Sequence, residues 1–165
     1  MTDPLNILIL SCGTRNKIVQ YFKKELGDRG QVMATDCSEL APALYDADKY
    51  FIVPRMNDEG YLDVILNICK ENNIKGVLSL IDPELSLLAK NKEAFLKIGT
   101  TPIISGYDLV EMCFDKYHFY EFLIENGFKT IRSYIDKELF YKDVDTGLIE
   151  YPVFVKPVRG SASIN

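Results

Sequence analysis

The chain has 165 residues, of which 47% are apolar, 26% charged and 12% aromatic, and 19 Lys+Arg against 24 Asp+Glu give a net charge of −5. The length fits one domain, or one domain plus part of another, and the apolar share supplies an ordinary core, which excludes wholesale disorder. The acidic balance argues against a broad basic face for nucleic acid or anionic lipid.

Leu5 to Leu10 is nearly continuous apolar sequence, the pattern of a strand covered on both faces as in a parallel sheet. Ser11-Cys12-Gly13-Thr14 makes the turn out of it. Ile18, Val19, Phe22 and Leu26 recur at helical spacing, and Gly27 supplies the stop. A second strand is expected over Gln31 to Thr35, ending at Asp36, and a third over Tyr50 to Val53, stopped by Pro54. Tyr61, Leu62, Ile65, Leu66, Ile68 and Cys69 make a helical stripe. Val77 to Ile81 reads as the fourth strand, Leu85, Leu87, Leu88, Phe95 and Leu96 as the next helix, and Thr101 to Ser105 as a short fifth strand.

Strand and helix thus alternate from Leu5 to Ser105, which implies right-handed crossovers and a parallel, helix-covered sheet. Ligands of such sheets sit beyond the carboxyl ends of the strands. Those ends carry Ser11-Cys12-Gly13-Thr14-Arg15, Asp36 and Asp82-Pro83-Glu84.

After Gly106 the pattern changes. Tyr107 to Cys113 reads as a short helix, and Asp115 caps another over Lys116 to Asn126, with Gly127 as its stop. Lys129 to Ile135 alternates as a strand, Asp136 to Lys142 reads as helix, and Tyr151 to Lys156 as a further strand closed by Pro157. Val158 to Asn165 is a hydroxyl-rich loop. The expected division is therefore 1–106, a Rossmann-like α/β domain, and 107–165, an incomplete α+β segment. The second stretch of about 60 residues is at the margin of independent stability. A strand such as Pro152-Val153-Phe154-Val155 without neighbours presents a sticky edge, so pairing of two copies as a homodimer is one expectation.

No apolar run approaches the roughly 18 residues needed to span a bilayer, and Met1-Thr2-Asp3-Pro4 lacks the charge pattern of a secretory leader. The four cysteines, Cys12, Cys37, Cys69 and Cys113, form no Cys-x-x-Cys pair, and the single histidine leaves no zinc cluster. These features predict a reduced, cytoplasmic chain with buried or partly buried thiols.

Two lysines carry candidate chemistry. Lys156 ends an apolar strand ahead of Pro157-Val158-Arg159-Gly160-Ser161, where an ammonium and small loop residues are suited to phosphate; a plain strand-end lysine is the competing reading. Lys116 follows the cap Asp115 in a first helical turn, where a cation opposes the macrodipole unless an anion binds there. Asp82-Pro83-Glu84 reads as cap, first helical proline and first-turn acid, and one of its carboxylates is also suited to hold a substrate amine or hydroxyl. Asp36 stands where dinucleotide folds keep an acid for ribose, but Ser11 to Asn16 has one glycine where the fingerprint needs three, so NAD or FAD is disfavoured and Asp36 is left to cap a turn with Ser38. His118, beside Tyr117, Phe119 and Tyr120, reads as packed, and the aromatic group as core.

Asp115-Lys116, the helix end Phe122 to Gly127, and Tyr151-Pro152-Val153-Phe154-Val155-Lys156-Pro157 with its Gly/Ser loop resemble the start of an ATP-grasp domain. The preceding sheet resembles the pre-ATP-grasp domain of carbamoyl-phosphate-synthase large-subunit-like proteins and biotin carboxylase. The resemblance implies a ligase in which ATP phosphorylates a small carboxylate and an amine attacks the acyl phosphate. It implies nucleotide phosphates on Lys116, Lys156, Arg159, Gly160, Ser161 and Ser163, while the strand-end residues Gly13, Thr14, Arg15, Asp36, Asp82 and Glu84 are the expected substrate contacts. The loop is poorer in glycine than many of its kind, and the adenine clamp and Mg²⁺ ligands of such enzymes belong to sequence beyond this chain. The resemblance thus implies an N-terminal piece that is inactive alone. The alternative is a non-catalytic α/β binding or interaction module.

Overall fold

The computed structural model describes residues 3–160. The chain divides into two compact units, Met1–Tyr107 and Asp108–Asn165.

The first unit is built on five parallel strands: β1 (Asn6–Ile9), β2 (Val32–Asp36), β3 (Lys49–Ile52), β4 (Ile74–Leu78) and β5 (Thr101–Pro102), in the order β3-β2-β1-β4-β5. Four helices connect them: α1 (Asn16–Leu26), α2 (Tyr61–Glu71), α3 (Asp82–Lys90) and α4 (Lys92–Lys97). All four residues of β1 are buried because successive side chains feed opposite faces, each covered. Leu8, Met33 and Val77 pack with Tyr61, Ile65, Leu88 and Phe95 from α2, α3 and α4. Ile7, Ile9, Val32 and Ala34 pack with Val19 and Leu26 from α1 and with Ala43 and Leu44 of the short turn Pro42–Asp46.

Several expected boundaries move, those of the second and third strands by one residue. The fourth strand runs over Ile74–Leu78 rather than Val77 to Ile81. Ser79 leaves the ladder because its hydroxyl is drawn to Glu84 (2.5 Å) and accepts the Ile81 N–H (3.1 Å). The expected helix beyond it divides at Asn91, and the fifth strand is short because Pro102 has no N–H to donate.

The second unit contains α5 from its second residue (Tyr107–Phe114), α6 (Lys116–Glu125) and α7 (Lys137–Asp145). Asp115 caps α6 by accepting from the Tyr117 and His118 N–H groups (3.2 and 3.0 Å), and Asp136 caps α7 through Glu138 and Leu139 (2.8 and 3.1 Å). The two strands expected here, Lys129 to Ile135 and Tyr151 to Lys156, carry no ladder among the described residues. Neither segment meets an adjacent strand, and so few residues bury little surface: Val110 is the sole buried side chain of this unit among the described residues. For the same reason His118 is exposed rather than packed, and α6 buries none of its aromatics. The thiols divide more sharply than expected, with Cys12 and Cys69 buried and Cys37 and Cys113 exposed.

Candidate functional site

Strand order reverses at β1, whose neighbours are β2 on one side and β4 on the other. The crevice at such a reversal is where open parallel sheets take ligands. The loop leaving β1 passes over it. Ser11 (φ +43) and Gly13 (φ +51) both take the left-handed conformation, which turns the chain sharply before α1. Glycine adopts that region freely, whereas Ser11 needs its contacts to stay there.

Asp36, at the end of β2, accepts the Gly13 N–H on Oδ2 (2.8 Å) and the Ser38 N–H on Oδ1 (3.0 Å). The expected Asp36–Ser38 turn is present, and the same carboxylate also steadies the β1 loop. Arg15 lies half-buried with Nη1 3.4 Å from the Ser11 carbonyl, and Thr14 is exposed at the loop's crest. Cys12 is wholly buried under it; burial first, then the Asp36 charge, push its thiol up to about 11. Such a thiol stays protonated at neutral pH and is a packing group rather than a nucleophile.

Across the crevice Asp82 opens α3 as its first residue, with Ile81 in the cap position and no side-chain capping bond. The expected cap at Asp82 is therefore one residue out, and Asp82 lies half-buried at the helix start. Glu84 behaves differently. It is fully buried and accepts from Ser11 Oγ (3.0 Å), Ser79 Oγ (2.5 Å) and the Tyr61 hydroxyl. Burial and the Glu84 charge push the Tyr61 phenol well above its ordinary range. Ser11, Tyr61 and Ser79 were missed as polar partners because each reads as something else: a turn residue, an apolar helix position, a strand interior.

The second unit holds the other candidates. Lys116 donates from Nζ to the carbonyls of Gly160 (2.7 Å) and Val158 (3.3 Å), and its backbone N–H donates to Val158 (3.0 Å). The loop after Lys156 is thus folded onto Lys116. Arg159 turns to Glu111 (2.9 Å) and Asp115 (3.4 Å) and lies over the Phe114 ring. The His118 N–H, and with it the Arg159 guanidinium, holds the Asp115 carboxyl below the usual range. Lys156 is exposed, and Ser161 and Ser163 lie outside the described residues. Among the described residues no three metal-ligating side chains converge, and no helix is long and apolar enough to cross a membrane.

The five-stranded parallel sheet, with its strand order reversing at β1, defines a Rossmann-like α/β domain. A family profile for the PylC-like, N-terminal domain matches residues 7–103, more than half of the sequence, and the chain belongs to that family. No curated protein matches it by sequence. Among solved structures it is similar to N5-carboxyaminoimidazole synthetase from Staphylococcus aureus complexed with ADP, at 20% identity and TM-score 0.66, over 98% of this chain and 40% of that one. L-amino acid ligase from Bacillus licheniformis is 21% identical, with TM-score 0.65 over 97% of this chain and 39% of that one. The biotin carboxylase domain of Hydrogenobacter thermophilus 2-oxoglutarate carboxylase, in complex with MgADP, ADP and bicarbonate, is 22% identical, with TM-score 0.62 over 94% and 35%. These likenesses establish the fold, and the chain spans at most 40% of each of the three.

Proposed function

We propose that the chain serves as the N-terminal part of an ATP-dependent carboxylate–amine ligase and is inactive alone. The observation that carries this reading is the approach of Lys116 Nζ to the Gly160 carbonyl (2.7 Å), which joins two cationic segments far apart in sequence. Lys116 and Lys156 neutralise nucleotide phosphates, and the loop Arg159, Gly160, Ser161, Ser163 closes over them and excludes water. ATP, brought with Mg²⁺ whose ligands lie outside this chain, phosphorylates a small carboxylate, and an amine displaces the phosphate from the acyl phosphate. The β1 loop at Gly13, Thr14 and Arg15, together with Asp36 and Asp82, contributes to the pocket for the small substrate. The expected location is the cytoplasm.

Lys116 must release the two loop carbonyls, and Arg159 its two acids, for phosphate to take their place. That exchange favours weak nucleotide binding by this chain. The neutralised Arg159 equally favours the second reading, a non-catalytic α/β binding or interaction module.

Calorimetric titration of MgATP separates them. The ligase reading expects weak saturable binding by the chain and stronger binding by a form continued along its own reading frame. It also expects Lys116→Ala with Lys156→Ala to weaken binding by the continued form about tenfold or more, since each cation supplies phosphate contact. Absence of binding by the continued form overturns it.

A further inference from the structure

Glu84 is wholly buried where β1 and β4 end, and no ion pair joins it to a cation among the described residues. Removing a carboxylate from water is unfavourable unless hydrogen bonds replace the lost hydration. Here hydroxyls do so from three directions. Ser11 of the β1 loop (3.0 Å) and Tyr61, the first residue of α2, donate to Oε1; Ser79, just after β4, donates to Oε2 (2.5 Å). One side chain of α3 therefore ties together both strand ends of the crevice and a second helix.

The tie to Ser11 has a particular consequence. Ser11 is one of two non-glycine residues at positive φ among the described residues, and that conformation is disfavoured for a residue with a Cβ. The loop it begins is hung at its other edge on β2: the Cys12 N–H donates to the Thr35 carbonyl (3.0 Å) and the Gly13 N–H to Asp36 Oδ2 (2.8 Å). Glu84 supplies the anchor on the β4 side. Both of its oxygens are occupied inward, so it presents none to the crevice.

We propose that Glu84 is a positioning residue, not a substrate ligand: through Ser11 it locks the Ser11 to Arg15 loop in the shape that forms the crevice. The substrate role of that crevice rests on the reading given under the proposed function; the lock itself does not.

Cys12 lies within the locked loop and Cys69 on α2, both buried, so each reports a different opening. With Cys37→Ser and Cys113→Ser removing the exposed thiols, N-ethylmaleimide labelling of the full chain is followed by peptide mass spectrometry. Ser11→Ala is expected to raise the Cys12 rate about tenfold while the Cys69 rate holds, as local opening requires. Ser79→Ala, which removes the donor from the other Glu84 oxygen and leaves the Ser11 bond in place, leaves the Cys12-to-Cys69 ratio unchanged. Glu84→Ala raises the ratio as Ser11→Ala does, and the double variant adds nothing further, the signature of a shared interaction. An unchanged ratio in Ser11→Ala, or an equal rise in Ser79→Ala, overturns the proposal. Should Glu84→Ala fail to fold, Ser11→Ala against Ser79→Ala still decides. A failed MgATP titration beside a positive labelling result removes the ligase reading and leaves the lock standing.

Discussion

A Cβ built on Gly30 would lie 2.2 Å from the Leu5 carbonyl oxygen, against backbone that cannot swing aside. Its φ of 171° is extended and open to any residue, so the requirement for glycine here is space alone. Gly30→Ala is expected to lower stability by about 1–3 kcal/mol, the usual cost of overpacking, read from the urea midpoint. Gly76 makes a useful contrast, because its nearest neighbours are the Ile7 and Ile103 Cδ1 atoms, far ends of side chains that can rotate. Charge acts at the same scale. Burial pushes the Asp48 carboxyl up, but the Lys23 ammonium (2.8 Å) and the Val32 N–H (2.8 Å) outweigh it and hold it below the ordinary range. A carboxyl lowered by folding stabilises the native state above its unfolded pKa, and that contribution is lost as pH falls through the folded value. Urea midpoints are therefore expected to fall below the ordinary carboxylate range, and Asp48→Asn to shrink the difference between neutral and acid.

At the scale of elements, the sheet is legible because each strand carries its own period. Leu5 to Leu10 has no polar face to give to water, so a doubly covered parallel strand follows from the residues alone. α3 and α4 are held differently, by the deeply buried apolar side chains Leu88 and Phe95. Phe95→Ala is expected to cost about 3–5 kcal/mol by opening a cavity between α4 and the sheet, measurable as a lowered thermal midpoint. The strands expected over Lys129 to Ile135 and Tyr151 to Lys156 have the correct alternation but no ladder among the described residues. Alternation sets which side chains share a face; a strand exists only when a second strand accepts its N–H groups.

At the scale of the whole molecule, the two units differ in how much they bury. The first has a cluster on each face of its sheet. The second leaves Phe154 (101%), Val155 (93%) and Ile131 (87%) exposed. Apolar surface of that kind predicts association at rising concentration. Light scattering over a roughly hundredfold concentration range is expected to show a growing mass that Phe154→Lys with Val155→Lys reduces, because association follows mass action; a constant monomer mass contradicts it.

What the sequence determined by itself was what repeats along the chain or caps it locally. The parallel α/β order, the carboxyl-end position of Gly13, Arg15, Asp36 and Asp82, and the Asp115 cap all follow from spacing within a few residues. Tertiary structure alone decided partnership. Glu84 reads as a first-turn acid in its own helix, yet it is buried among hydroxyls from residues 11, 61 and 79. Arg159 reads as a loop cation suited to phosphate, yet Glu111 and Asp115 neutralise it from more than 40 positions away. Periodicity is a property of neighbouring residues, whereas the solvation of a charge depends on whichever distant segments the fold brings against it.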